Sequence, residues 1–281
     1  MSRLVGLGVW PNLASEDRGT RLSEARAGGF RFFSSMMNEI LSVMSAHRSV
    51  RAFLPDPVQD EDISRAVAAA RQAATSSWVQ AYSLLQVTDP ERREKLAEWT
   101  GEQDQVAEAG AFFVLNADVR RHRLVARRLE KPYAGNLEAF MVALIDASLF
   151  AQNLALAFES MGYGVCFIGG LRTRLPEVDA LLELPDGVWP LFGICVGRPD
   201  PAVETEVRPR LPVEAIWMTD HYLDDGSVLD HIEAFDEVAA RHYGARGLDG
   251  RNWSGGLWRK FAKPMREHLL EYYTGKGAEL R

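Results

Sequence analysis

The chain has 281 residues, of which 47% are hydrophobic and 25% charged, with a formal net charge of -7. These are ordinary globular values, and the length allows one large domain or two small ones around a sizeable core. The acidic balance argues against nucleic acid as the main partner, and the lack of an apolar run of about 18 residues argues against a membrane span. Two cysteines, Cys166 and Cys195, lie in apolar segments without a Cys-x-x-Cys pattern. They read as buried reduced thiols and place the chain in a reducing cytoplasm.

Residues 1–35 stand apart as an N-terminal extension, with five arginines, several glycines and weak apolar periodicity. Residues 36–281 read as a single domain. The spacing of Ile40, Leu41, Val43 and Met44 predicts a helix over 36–46. After Pro55 and Pro57, Asp60 is expected to cap a helix running to about residue 74. Residues 73–82 read as a loop, 83–88 as a strand closed by Asp89-Pro90, 92–99 as a helix and 112–116 as a buried strand. The basic run 119–132 reads as irregular and solvated, or else as a lid. Residues 137–161 form the strongest helix, apolar nearly all round and therefore expected to be central, with Gly162 as its left-handed stop. Strands are expected at 165–168 and 190–196, with helices at 176–182, 230–243 and 254–273. One α+β domain with a sheet of about five strands fits this order.

Two basic motifs separated by about 160 residues carry the most information: His47-Arg48-Ser49-Val50-Arg51 and Arg208-Pro209-Arg210-Leu211-Pro212. Arginine presents a planar fork of donors that matches phosphate oxygens in pairs. Two short clusters in an acidic chain read as a grip on one small anion. The usual catalytic signatures are missing: there is no Gly-x-Ser-x-Gly, His-Glu-x-x-His, Walker loop or helix-opening Gly-x-Gly-x-x-Gly, and the histidines lack metal-ligand spacing. No metal is expected. A phosphate grip without an acid–base pair suits a cofactor that brings its own chemistry.

These motifs, taken with Ser76-Ser77-Trp78-Val79-Gln80, Thr100-Gly101-Glu102-Gln103, Ala151-Gln152-Asn153, residues 167–172 and residues 191–197, resemble the FMN-dependent nitroreductase family. The likeness is greatest to its branch of NADPH nitroreductases and flavin reductases, and it covers roughly residues 37–275. It implies a mainly antiparallel sheet wrapped by helices in an interlocked homodimer, with FMN at the subunit interface. It also implies ping-pong turnover, in which NAD(P)H reduces the flavin and a nitroaromatic, a quinone or a free flavin then takes the electrons. A dedicated flavin reductase, a non-catalytic flavin-binding protein and a flavin-free anion carrier are the alternatives.

The resemblance also implies roles for residues. His47, Arg48 and Ser49 would hold the FMN phosphate, with Arg208 and Arg210 completing the grip. No residue is catalytic in the strict sense. Arg51, projecting the same way as Ser49 in an extended segment, would stabilise negative charge at the polar edge of the ring, and Gln103 would hydrogen-bond that edge. Thr75, Ser77 and Gln80 would line the partner subunit's cofactor. Phe167, Ile168, Gly169 and Gly170 would run beside the ring. Trp78 would narrow the substrate side. Arg246 and Arg251 would bind the 2'-phosphate of NADPH, which is expected over NADH.

Overall fold

The computed structural model describes residues 39–280. The readings of residues 1–35 and of Met36 and Met37 lie outside the described residues. The chain separates into a unit ending at Ser45 and a second unit, Ala46–Arg281. In the first, residues 39–45 are helical (α1).

The second unit is built on four antiparallel strands in the order β1-β2-β4-β3. These are β1 (Tyr82–Gln86), β2 (Ala111–Asp118), β3 (Gly164–Ile168) and β4 (Val188–Gly197). The four segments marked by the sequence are therefore the four strands of the sheet among the described residues, one fewer than the expected five. The outer edge of β3 is instead bordered by residues 49–53, which join the sheet through isolated bridges only, Ser49 to Val165 and Phe53 to Pro199. Strand β2 is buried at every position because it is central and covered on both faces. On one face Phe113, Leu115, Ile194 and Val196 meet Ala66, Ala147, Phe150, Leu154 and Phe158, from helices α2 (Asp60–Ala70) and α6 (Leu137–Ser160). On the other, Phe112, Val114, Cys166 and Cys195 meet Leu96, Val106, Val178 and Leu182, from α3 (Pro90–Trp99), α4 (Gln105–Glu108) and α7 (Leu175–Leu182). The pairing slips at Leu115/Asn116, so Leu191 is the extra residue of a bulge in β4. Its carbonyl accepts a 2.6 Å bond from Arg172.

Several expectations need correction. Gln59, not Asp60, is the N-cap of α2, which ends at Ala70. The basic run is not irregular: α5 (Arg120–Arg128) is a helix. It starts where the Asp118 side chain accepts from the Arg120 N–H at 2.9 Å, and its Arg, Leu and Ala content favours propagation. Helix α6 is central on one side only. Leu137, Met141, Leu144, Ile145 and Leu149 are exposed. By length and composition α6 could cross a membrane, contrary to the expectation that no segment is long and apolar enough. Its inner side is nonetheless the core of this domain. Gly162 does end it, at φ +80°. Helix α8 (Asp225–Gly244) begins earlier than expected, because Asp224 caps it by accepting from Ser227 N at 3.0 Å. The expected last helix is two, α9 (Trp253–Phe261) and α10 (Leu269–Gly275), separated by a segment holding Pro264, which cannot supply a helical N–H.

Cys166 and Cys195 are free, buried and directly opposite each other on β3 and β4. Burial raises both thiol pKa values, that of Cys195 most. The thiolate is the reactive form. The native protein should therefore show no titratable thiol toward a disulfide reagent at pH 8, and two after denaturation; rapid native labelling would contradict this burial.

Candidate functional site

The two basic motifs meet. A cavity of about 500 Å³ is lined by His47, Arg48, Ser49, Arg51 and Ala52 from the first motif, and by Arg208 and Arg210 from the second. The segment Val203–Glu206 and the end of α8, Ala245 and Arg246, complete it.

The first motif is fixed by its backbone. Val50 donates to the Val165 carbonyl at 2.9 Å and tucks its side chain inward. Its neighbours Ser49 and Arg51 line the cavity, as alternation in an extended segment requires. The close approach needs glycine at 164: a Cβ there would lie 2.7 Å from Val50 Cβ. Farther on, Leu54 donates to the Arg198 carbonyl at 2.8 Å and Asp200 to the Ala52 carbonyl at 3.1 Å. Thus the stretch after the first motif is tied to the chain that leads from β4 to the second motif.

The guanidinium groups are held without acidic partners. Arg48, Arg51 and Arg210 donate only to nearby carbonyls, of Ala46 at 3.3 Å, Ser49 at 3.3 Å and Arg208 at 2.8 Å. Among the described residues none of the cavity's five arginines lies within ion-pairing distance of a carboxylate. Glu204 and Glu206 also line the cavity, and Glu206 faces His242 at 3.5 Å. Arg51 and Arg208 both pull down the Cys166 thiol pKa against the larger upward effect of burial, which places the two motifs beside β3. Five cations against two carboxylates in an acidic chain repel one another and favour a bound anion.

His47 is oriented by a residue the sequence reading missed. Its Nδ1 lies 2.7 Å from Glu159 Oε1 near the end of α6. Burial raises the Glu159 carboxyl pKa, and the bond to His47 offsets part of that rise. The signal in the sequence was a carboxylate at the close of an otherwise apolar helix.

The other expected residues divide into three groups. Gln103 and Gly170 are neighbours: Gln103 Nε2 donates to the Thr100 carbonyl at 2.7 Å, and a Cβ at Gly170 would lie 2.2 Å from that oxygen. Gly169 and Gly170 begin a 3-10 turn, Gly169–Thr173. Phe167 is exposed, whereas the Ile168 side chain is in the core and leaves only backbone for a ligand. Arg251 does not line the cavity with Arg246. Thr75, Ser77, Trp78 and Gln80 stand outside it as well, on the loop before β1.

That loop is unusual. Ser77, Trp78 and Gln80 have φ of 47°, 60° and 53°, a left-handed region costing of order 1–3 kcal/mol per non-glycine residue. The fully buried Asp146 of α6 accepts from Ser76 N at 2.9 Å and Ala81 N at 3.1 Å. From α5, Arg121 donates to the carbonyls of Gln80 and Tyr82, and His122 Nε2 meets the Val79 carbonyl at 2.8 Å. Trp78 is 82% exposed at its tip. Asp146 was missed too, although it is the lone ionisable residue between Glu138 and Glu159.

Most of the chain matches known proteins. Residues 44–198 match the model of the nitroreductase family, and residues 208–281 match that of the nitroreductase family C-terminal domain. The chain is 38% identical over 247 residues to the FMN reductase (NADPH) of Bacillus subtilis, covering 86% of this chain and 98% of that protein. It is 35% identical to the oxygen-insensitive NADPH nitroreductase of Salmonella typhimurium, covering 86% and 98%. The structure of the NADPH:FMN oxidoreductase of Vibrio harveyi complexed with NAD+ superposes with a TM-score of 0.78 at 35% identity, covering 86% of this chain and all of that one. The fold is that of these flavin-reductase and nitroreductase neighbours, and the arginine-lined cavity has the charge to suit an anion. The chain belongs to the nitroreductase family.

Replacing Asp146 with Asn removes the charge and one of the two oxygens that accept from Ser76 N and from the buried Ala81 N. We expect a stability loss of about 1–3 kcal/mol, measurable as a lowered melting temperature; an unchanged melting temperature would show that the loop holds its conformation without the carboxylate.

Proposed function

We propose that the cavity between the two basic motifs is the FMN phosphate site of a flavin-dependent reductase. The protein is an FMN-dependent NADPH oxidoreductase. When bound, FMN would supply the redox chemistry, that of a hydride and electron carrier between NADPH and a small acceptor such as a nitroaromatic, a quinone or a second flavin. The observation carrying this reading is the convergence of Arg48, Ser49, Arg208 and Arg210 on one cavity with no carboxylate in ion-pairing range among the described residues. The donor set fits a phosphate, which takes paired N–H donors and a hydroxyl.

In this reading Arg48, Ser49, Arg208 and Arg210 bind the phosphate, and His47, steadied by Glu159, adds a ring nitrogen. Arg51 lies two residues along from Ser49 and supplies positive charge to the polar edge of the ring. At about 4 Å such a charge contributes on the order of 4 kcal/mol at intermediate dielectric. Gln103 and the backbone of 167–170 do not line that cavity; in this reading they would flank the ring beyond it. The residues' task would be to orient the flavin and the nicotinamide and to leave one face of the flavin ring open.

The exposed apolar side of α6 (Leu137, Met141, Leu144, Ile145, Leu149) supports a homodimer. Packing of two copies would bring Thr75, Ser77, Gln80 and Trp78 of one to the cofactor of the other, which accounts for their position outside this chain's own cavity. Arg246 lines the cavity and is the better placed of the two residues offered for the 2'-phosphate of NADPH.

Three outcomes follow. Arg208→Ala with Arg210→Ala removes two charge-assisted contacts of about 1.5–3 kcal/mol each. FMN should bind roughly 100-fold or more weakly while riboflavin affinity holds, and equal losses for both flavins would contradict the phosphate role. Arg51→Ala should lower the midpoint potential of bound FMN by about 30 mV for every 1.4 kcal/mol lost; an unaltered potential refutes its tuning role. Arg246→Ala should raise KM for NADPH more than for NADH, and parallel increases would remove it from the 2'-phosphate.

A further inference from the structure

His47 stands between the arginine-lined cavity and the end of α6. It lines the cavity, while its Nδ1 lies 2.7 Å from Glu159 Oε1. The Glu159 side chain is only 11% exposed, against 27% for His47. Its second oxygen, Oε2, is buried and has no hydrogen-bond partner among the described residues. Burial opposes ionisation of this carboxyl, and His47, followed by Arg48, favours it. A carboxylate so placed depends on the imidazole for its charge partner.

The proton on that imidazole decides what it can do for a phosphate. With Nδ1 engaged by Glu159, Nε2 is the ring nitrogen left for the cavity. A neutral ring that gives its Nδ1–H to Glu159 leaves Nε2 with a lone pair. A phosphate dianion offers only acceptors, so that ring and the phosphate would repel. A ring protonated at both nitrogens donates at each end, Nδ1–H to the carboxylate and Nε2–H to the phosphate. Such charge-assisted bonds are about twice as strong as neutral ones. Only this form adds to the grip of the arginines, and it needs one more proton. An anion on either side of the ring favours the charged form.

We propose that Glu159 is a positioning residue that makes FMN binding proton-linked: the phosphate binds with uptake of a proton by His47, whose imidazolium then bridges the phosphate and the Glu159 carboxylate. The inference rests on the reading of this cavity as the FMN phosphate site. Its sign follows from the two anions. The occupied site holds the proton to higher pH than the empty one, so FMN affinity is greatest where the ring is already protonated and falls as pH rises. A phosphate monoester takes up its own second proton near about pH 6, so the linkage is read above that. The cavity's other cations are Arg48, Arg51, Arg208, Arg210 and Arg246, and arginine keeps its charge across this range. Its other carboxylates are Glu204 and Glu206. His242, 3.5 Å from Glu206, is the second imidazole to be told apart.

The test titrates the full-length protein, freed of flavin, with FMN and with riboflavin, which lacks the phosphate. Calorimetry in buffers of different ionisation enthalpy counts the protons exchanged. Near neutral pH, FMN should bind with net uptake of a fraction of a proton and riboflavin with none. The preference for FMN over riboflavin should decline as pH rises through the mildly alkaline range. His47→Gln, at the cavity surface, can donate but cannot titrate; it should abolish the uptake and flatten the decline. Glu159→Gln keeps an oxygen for the Nδ1–H but not the charge. It should move the decline to lower pH by about one unit, so that FMN binds up to about tenfold more weakly on the slope. A decline that superposes on that of the unmodified protein would overturn the role of Glu159. Uptake that survives His47→Gln would assign the proton to another group, such as His242, and overturn the proposal. FMN bound more tightly than riboflavin with no proton uptake would overturn the proposal and leave the phosphate reading standing. FMN bound no more tightly than riboflavin would overturn both.

Discussion

The site rests on a backbone constraint. Five guanidinium groups in one cavity repel, and nothing in their own contacts draws them together. They are held by peptide groups: Val50 bonded to Val165, Leu54 to Arg198 and Asp200 to Ala52. These bonds fasten the segment after the first motif along β3 and across to the chain leaving β4. Glycine at 164 permits the approach. The repulsion is thus borne by a scaffold with its own core, and a bound anion, the phosphate of the proposed FMN, would relieve it. That is the arrangement expected of a preorganised anion site, in which the donors are positioned before the ligand arrives.

A similar logic governs the loop before β1. Three non-glycine residues in the left-handed region are unfavourable in isolation, yet bonds from Asp146, Arg121 and His122 surround them. The result is an exposed tryptophan at the tip of a segment fixed at both ends. Helix α6 joins the two regions. Its Asp146 anchors the loop, its Glu159 orients His47, and its inner side forms the core beneath the sheet. A single helix with three duties explains why so apolar a segment carries a buried acid, Asp146, and a half-buried one, Glu159.

Much of this was legible in the sequence, and the reasons differ by region. All four strands could be read because short apolar runs bounded by turn residues leave few alternatives. The pairing of the two basic motifs could be read from residue chemistry and from a family pattern spread over the chain. Helix α5 was misread because charge density hid an ordinary helix former's sequence. The split between α9 and α10 was legible at Pro264 but was overridden by the periodicity around it. Asp146 and Glu159 were passed over because their roles are set by partners 65 to 112 residues away, a relation no local pattern contains.

The most direct test of the central claim is a crystal structure of the protein with FMN bound. The account expects the phosphate between Arg48 and Ser49 on one side and Arg208 and Arg210 on the other, with Arg51 toward the ring's polar edge. A phosphate lodged anywhere else, with these arginines still facing an empty cavity, would contradict it.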